Sequence, residues 1–278
     1  MTTFFSLPSS PPSPTSIHSF PTKPSPAKRV LSSSWEHLGP RNLFDDKTHR
    51  GEAGTLADAA SPASNPKLIY TGGSNNGASS GILKSTDMGV TWARASKGLF
   101  DSRIHAVFLH PADPTGGHVL AGTSTGIYES LDGAGSWSRI PASVNFGLVY
   151  SLANGTINGK AYVLAGCQHG IATNPVDGSG NWSSMIPYPD AVLPFAGTVH
   201  GFSVASDGAG GNTAVGACMR ANRTDAAFAG NGYIGAITSP TSCDWKLTAT
   251  PIVCAKLALH PFNKDHFIYT NATWGKCA

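Results

Sequence analysis

Short apolar runs, each closed by glycine, proline or a cluster of small polar residues, recur through the chain at near-constant intervals. Val119-Leu120-Ala121-Gly122 and Val163-Leu164-Ala165-Gly166 are one strand written twice. Gly81-Ile82-Leu83, Gly126-Ile127-Tyr128 and Gly170-Ile171-Ala172 open the strand that follows. An earlier strand in each unit ends at a turn marked by proline: Thr55-Leu56 before Ser61-Pro62, Ala106-Val107-Phe108 before His110-Pro111, and Leu257-Ala258-Leu259 before His260-Pro261. Runs this short, bounded by turn residues, predict strands rather than helices. Each unit reads as four short antiparallel strands. A lone sheet of that size cannot bury both faces, so the units must stack.

The tryptophans give the period. Trp92, Trp137 and Trp182 stand 45 residues apart, and five residues before each is an aspartate: Asp87, Asp132 and Asp177. In Ser85-Thr86-Asp87-Met88-Gly89-Val90-Thr91-Trp92 the short Ser and Asp side chains are placed to accept turn amides, Gly89 admits unusual backbone angles, and Trp92 covers the hairpin. Burying that indole is worth about 2 to 3 kcal/mol. Ser130-Leu131-Asp132-Gly133-Ala134-Gly135-Ser136-Trp137 repeats the turn with Ala134 where the first copy has glycine. Asp177-Gly178-Ser179-Gly180-Asn181-Trp182 keeps Asp177 and Trp182 but has Pro175 in the serine position. Units of about this length are the range of β-propeller blades, in which radial repetition buries each sheet against two neighbours.

The Ser85 to Trp92 segment resembles the Asp-box, or BNR, repeat of sialidases, xyloglucanases and sortilin-like receptors. The resemblance covers residues 35 to 278 as architecture and holds at motif level in the first two units. It implies an all-β propeller of four-stranded antiparallel blades with Asp-box hairpins. Units near 50–98, 103–143, 148–190 and 198–250, with a fifth from Val253, give about five blades, and Ser33-Ser34-Trp35-Glu36 reads as an outermost strand closing the last one. One strand is then still missing, which predicts part of a longer propeller of six to eight blades; a five-bladed ring is the alternative.

Composition narrows the partners. Lys plus Arg total 19 against 16 Asp plus Glu, with neither a basic stripe nor an acidic block, so electrostatics give no support to a nucleic-acid partner. No apolar run is long enough to span a membrane as a helix. Half of residues 1–34 are Ser or Pro, a leader that cannot bury enough surface to fold and that resembles an organellar transit peptide. Cys167, Cys218, Cys243, Cys254 and Cys277 contain no Cys-x-x-Cys pair, so no metal site is read, and no cofactor motif is present. Asn-x-Ser/Thr sites at Asn154, Asn181, Asn222 and Asn271 agree with secretion. A plastid or an extracellular location therefore fits better than the cytosol.

Strand order separates two faces. The first and last hairpin turns of every blade, Asp-boxes included, lie on one; the middle hairpin loops and inter-blade connections lie on the other. Ser85, Asp87, Gly89, Trp92, Ser130, Asp132, Trp137, Asp177 and Trp182 are accordingly read as structural. Ligand residues belong to the loop face. The candidates there are Asp46, Arg50 and Glu52 before the first blade strand, Arg103 in a connection, His169 in a middle loop, and Arg220, Arg223 and Asp225 in the enlarged fourth unit. The two arginines of that enlarged loop suit bidentate capture of an acidic sugar. Gly77 to Gly81 and Gly122 to Gly126 match Gly-x-Ser-x-Gly, but they recur one period apart and lead into strands, where a nucleophile elbow needs a helix. His105, His110 and His260 are read as core or capping groups. Neither the Phe-Arg-Ile-Pro segment and arginine triad of sialidases nor the Arg-Thr-Asp-x-Gly-Gly segment of xyloglucanases is present, so no catalytic residue carries over. The expectation is a carbohydrate-related propeller, glycan-binding or glycoside hydrolase-like; the alternative is a scaffold for a protein or peptide, resembling sortilin-like receptors or plastid photosystem II assembly factors.

Overall fold

The computed structural model describes residues 44–45, 50–51, 55–74, 81–100, 103–183, 185–188, 199–206, 213–219, 231–247, 254–260 and 263–271. All of them belong to the compact unit Leu38–Ala278. A short hairpin, β1 (Phe44–Asp45) and β2 (Arg50–Gly51), comes first. Four antiparallel four-stranded sheets follow in chain order. Blade 1 is β3 (Thr55–Ala60), β4 (Ile69–Ser74), β5 (Ile82–Ser85) and β6 (Ala93–Arg94). Blade 2 is β7 (Ile104–Leu109), β8 (Val119–Thr123), β9 (Gly126–Ser130) and β10 (Ser138–Arg139). A 3-10 turn, η1 (Pro141–Phe146), leads into blade 3: β11 (Val149–Ile157), β12 (Lys160–Cys167), β13 (Gly170–Pro175) and β14 (Ile186–Pro187). Blade 4 is β15 (Val199–Ser206), β16 (Thr213–Met219), β17 (Asn231–Ser239) and β18 (Ser242–Leu247), and a two-stranded sheet, β19 (Cys254–His260) and β20 (Asn263–Asn271), comes last.

Each sheet is a meander, and its first strand lies beside the first strand of the next: β3 by β7, β7 by β11, β11 by β15, β15 by β19. That is the arrangement of a β-propeller, with the first strands innermost. The apolar runs are explained by burial on both faces. In β8, Val119 and Ala121 pack with Tyr70, Ile82 and Trp137 on the blade 1 side, whereas Leu120 packs with Phe146, Val149 and Val163 on the blade 3 side. In β12, Val163 and Ala165 face blade 2 while Tyr162 and Leu164 join Ile186, Tyr188 and Ile237 toward blade 4. Side chains alternate with period 2, so a strand between two seams must be apolar at consecutive positions.

Glycines set the blade spacing. A Cβ on Gly72 would stand 2.5 Å from Ile104 Cγ2, and one on Gly122 would stand 2.8 Å from Val149 O. Both occupy the second strand of a blade, against the innermost strand of the next. The five innermost strands share a further feature: each breaks register near its start, between Leu56/Asp58, Ile104/Ala106, Val149/Ser151, Val199/Gly201 and Cys254/Lys256. The bulged residues are Ala57, His105, Tyr150, His200 and Ala255. A bulge bends its strand and re-aims a side chain, and it recurs here in every blade at the same end. Among the described residues, no helix is long and apolar enough to cross a membrane.

Candidate functional site

The two turns with the full Ser-x-Asp pattern are closed by the same hydrogen bonds. Ser85 Oγ donates to Asp87 Oδ1 at 2.8 Å and accepts the Gly89 amide at 2.8 Å. Asp87 accepts the Thr91 amide at 2.8 Å and the Thr91 hydroxyl at 2.6 Å. In blade 2, Ser130 bonds Asp132 and the Ala134 amide, and Asp132 takes the Ser136 amide and hydroxyl. The hydroxyl bonds, first from Thr91 and from Ser136, hold both carboxyls below the usual carboxylate range. Each turn needs two consecutive left-handed residues: Met88 and Gly89 at φ 64° and 87°, Gly133 and Ala134 at φ 68° and 65°. The indoles differ. Trp92 Nε1 donates to Gly89 O of its own turn, whereas Trp137 Nε1 reaches back to Ala95 O of the preceding blade at 2.7 Å.

The turn after β13 is built otherwise. Asp177 accepts the Ser179 amide at 2.9 Å and pairs with Lys160 at 3.2 Å, and only Gly178 there is left-handed. Bonds from Ser179 and then Lys160 bring its carboxyl down to about 2. Pro175, in the serine's place, offers no hydroxyl to accept the turn amides. Trp182 packs edge-on against Phe146, and β14 starts only at Ile186.

On the opposite face, the β8–β9 and β12–β13 turns flank the starts of β7 and β11. Gly122 to Gly126 forms the first of these turns, strand to strand with no helix. Thr123 Oγ1 donates to Gly126 O at 2.9 Å and accepts the Thr125 amide at 3.1 Å, which fixes Ser124 and Thr125. Serines repeat behind it: Ser143 Oγ accepts the Ile127 amide at 2.9 Å, as Ser96 Oγ accepts that of Ile82. The Gln168 amide donates to Leu148 O at 2.8 Å, tying the β12–β13 turn to the connection before β11.

The bulges place two rings between these turns. His105 Nε2 lies 3.1 Å from Ser124 Oγ, and its ring meets that of Tyr150 at 5.4 Å between centroids, tilted by 50°. Two adjacent blades thus contribute an imidazole, a phenol and a hydroxyl turn to one half-buried patch. Arg103, two residues before His105, and His169, beside Gln168, are exposed on the same face. Arg50 is in β2; Asp46, Glu52, Arg220, Arg223 and Asp225 lie outside the described residues, the last three between β16 and β17. Asp58, one residue past the blade 1 bulge, accepts the Val107 amide of β7 at 3.0 Å and so joins two innermost strands. His105, Tyr150 and Asp58 had no signal as a group, because in blades packed on both faces a one-residue register break does not interrupt the apolar run that marks the strand. Among the described residues, no three His, Cys, Asp or Glu side chains gather as metal ligands would.

No protein-family model and no curated protein sequence matches the chain. Solved structures do. The xyloglucanase of the GH74 family from Xanthomonas campestris superposes with a TM-score of 0.53 at 17% identity, covering 77% of this chain and 35% of that one. An ancestral GH74 enzyme gives 0.45 at 15%, over 84% of this chain and 35% of its own. YCF48 bound to D1 peptide gives 0.47 at 16%, over 75% and 60%. The chain spans about a third of the length of the two GH74 enzymes. At these identities the likeness is one of fold, and the fold is the β-propeller.

Proposed function

We propose that this propeller is a carbohydrate-binding module whose loop face holds a saccharide across the seam of blades 2 and 3, and that its Ser85–Trp92 and Ser130–Trp137 turns are Asp-boxes. One observation carries the reading: the Tyr150 ring, set against His105, whose Nε2 in turn meets Ser124 Oγ, is a half-buried aromatic platform edged by hydrogen-bonding groups. Such a surface suits a ligand with apolar CH faces and many hydroxyls, with aromatic area for the one and fixed polar groups for the other. Ser124, Thr125 and Gln168 supply donors and acceptors, with Arg103 and His169 at the rim. In this reading Arg220, Arg223 and Asp225, with Asp46, Arg50 and Glu52, extend the site and favour an acidic sugar.

The test is a glycan array followed by titration calorimetry on the glycan that binds. Tyr150→Ala is expected to lower affinity by about tenfold or more, the cost of one buried aromatic contact. Lys160→Ala, on the other face, should leave affinity unchanged. An empty array, or equal binding by Tyr150→Ala, overturns the reading.

A second reading, a peptide-binding scaffold, is favoured by Phe100 and Val144, which stand 93% and 51% exposed on the connections into blades 2 and 3. Capture of extended peptides from a library, lost in Phe100→Ser and kept in Tyr150→Ala, would select it.

A further inference from the structure

The connection from β7 to β8, residues 110–118, reaches across the seam to blade 1. Ser64 Oγ donates to Pro114 O at 2.6 Å and Tyr70 Oη to Gly116 O at 2.8 Å. The approach is close: a Cβ on Gly116 would stand 2.9 Å from Pro62 Cγ. The Gly133 amide donates to Gly117 O at 2.8 Å, so the same loop also supports the Ser130–Trp137 turn of its own blade. Asp113 shapes the loop from inside. Its Oδ1 accepts the Thr115 amide and hydroxyl, and its Oδ2 accepts the His118 amide at 2.7 Å.

Two imidazoles close the ends of this loop. The His110 amide donates to His118 O at 2.9 Å, and the two rings stack at 4.1 Å between centroids with 10° between their planes. His118 Nε2 lies 2.7 Å from Glu129 Oε1 on β9. The buried His110 accepts the Ala112 amide on Nδ1 at 3.3 Å, so that nitrogen carries no proton. An imidazolium has a proton on both nitrogens. Protonating His110 therefore removes this acceptor and turns one N–H against another. Where His118 is also charged, it sets two cations face to face. Burial first and His118 second hold the His110 imidazole below its ordinary 6.5, against the opposing pull of Glu129 and then Asp113.

We propose that the His110–His118 stack is a pH-sensitive latch, which keeps the 110–118 loop seated on blade 1 at neutral pH and releases it in mild acid. It does not depend on what the loop face binds. In the released loop His110 is solvated and titrates as an ordinary histidine, whereas in the seated loop it takes a proton less readily. The seated form is thus fully favoured above about 6.5 and loses ground as pH falls below that value. The carboxyls of Glu129 and Asp113 are held below the usual range, the first by its bond with His118 and the second by the Thr115 hydroxyl. Both stay ionised down to pH 5, so above that only the imidazoles of this cluster titrate.

The experiment is hydrogen exchange on the full chain from pH 8 to pH 5, each rate divided by the intrinsic rate at its pH. Protection of the Gly116, His118 and Gly133 amides, which are bonded within or to the loop, should fall about tenfold, the scale of one proton over a unit or more of pH. Protection in β12 and β13 should hold. His110→Asn keeps an oxygen to accept the Ala112 amide and has no proton to gain. Its ratio of protection between pH 8 and pH 5 should stay near one, whatever the absolute level. His118→Phe keeps a stacked ring without the charge, and its ratio should fall between those of His110→Asn and the parent. The proposal fails if the loop amides keep full protection at pH 5, if either variant keeps the parent's ratio, or if β12 and β13 lose protection to the same extent.

Discussion

Asp132 is exposed and yet carries more of its hairpin than any buried side chain there. Its carboxylate accepts one amide and two hydroxyls within a seven-residue loop from Ser130 to Ser136, and those bonds hold its pKa well below the ordinary 3.8. A depressed folded pKa adds stability that is fully present above the unfolded value and is lost as pH falls through the folded one. Asp132→Asn should therefore unfold at lower urea than the parent at pH 7, and the difference should shrink as pH falls from about 4 toward 2, measured by urea midpoints at each pH. A gap that stays constant with pH would assign the effect to shape and remove the carboxylate from the account. The turn bonds of Ser85, Asp87, Ser130 and Asp132 follow from local sequence, because a short hydroxyl and a carboxylate two residues apart reach the amides of a tight turn. Where the indoles point was not legible. Trp92 and Trp137 occupy equal positions, but the first bonds its own turn and the second bonds the preceding blade.

Strands and hairpins were the most legible level, since burial on both faces makes consecutive positions apolar and turns demand their own residues. The third hairpin shows the limit. Asp177 and Trp182 keep the spacing, but without a serine at Pro175 the carboxylate turns to Ser179 and Lys160, and the last strand starts late. Gly72 and Gly122 illustrate a constraint between elements that a local reading misses. Both pair within their own sheets as ordinary strand residues, yet each is the point where the next blade's innermost strand closes in. Adding a methyl at Gly122 puts a carbon 2.8 Å from the Val149 carbonyl oxygen and 3.0 Å from its Cγ1, and neither backbone can retreat without moving a blade. Gly122→Ala should cost about 1 to 3 kcal/mol, the usual range for overpacking, seen as a lower urea midpoint with unchanged slope. Gly159→Ala is the control for adding a methyl at a glycine, because its Cβ would meet nothing within 4 Å; its φ of 77° gives it a cost confined to its own turn.

At the scale of the whole array, the shared bulge of the innermost strands builds the candidate site, and it is where sequence reading stops. Ala57, His105, Tyr150, His200 and Ala255 have no common chemistry, because what recurs is a backbone register break and each blade fills it differently. The residue at the break therefore varies by blade while the register break itself recurs. Among the described residues, the packing between blades is three separate clusters, at the seams of blades 1 and 2, 2 and 3, and 3 and 4. Stability in such an array is a sum of unit and nearest-neighbour terms, so damage at one seam should stay local. Trp137→Phe tests this, since it removes the indole bond to Ala95 across the seam of blades 1 and 2 and keeps most of the ring. Hydrogen exchange should accelerate about tenfold in β4, β5 and β8, consistent with loss of roughly 1 kcal/mol or somewhat more, and remain unchanged in β12 and β13. Uniform acceleration through all three blades would mean that the array opens as a single cooperative unit, and the nearest-neighbour account would have to be given up.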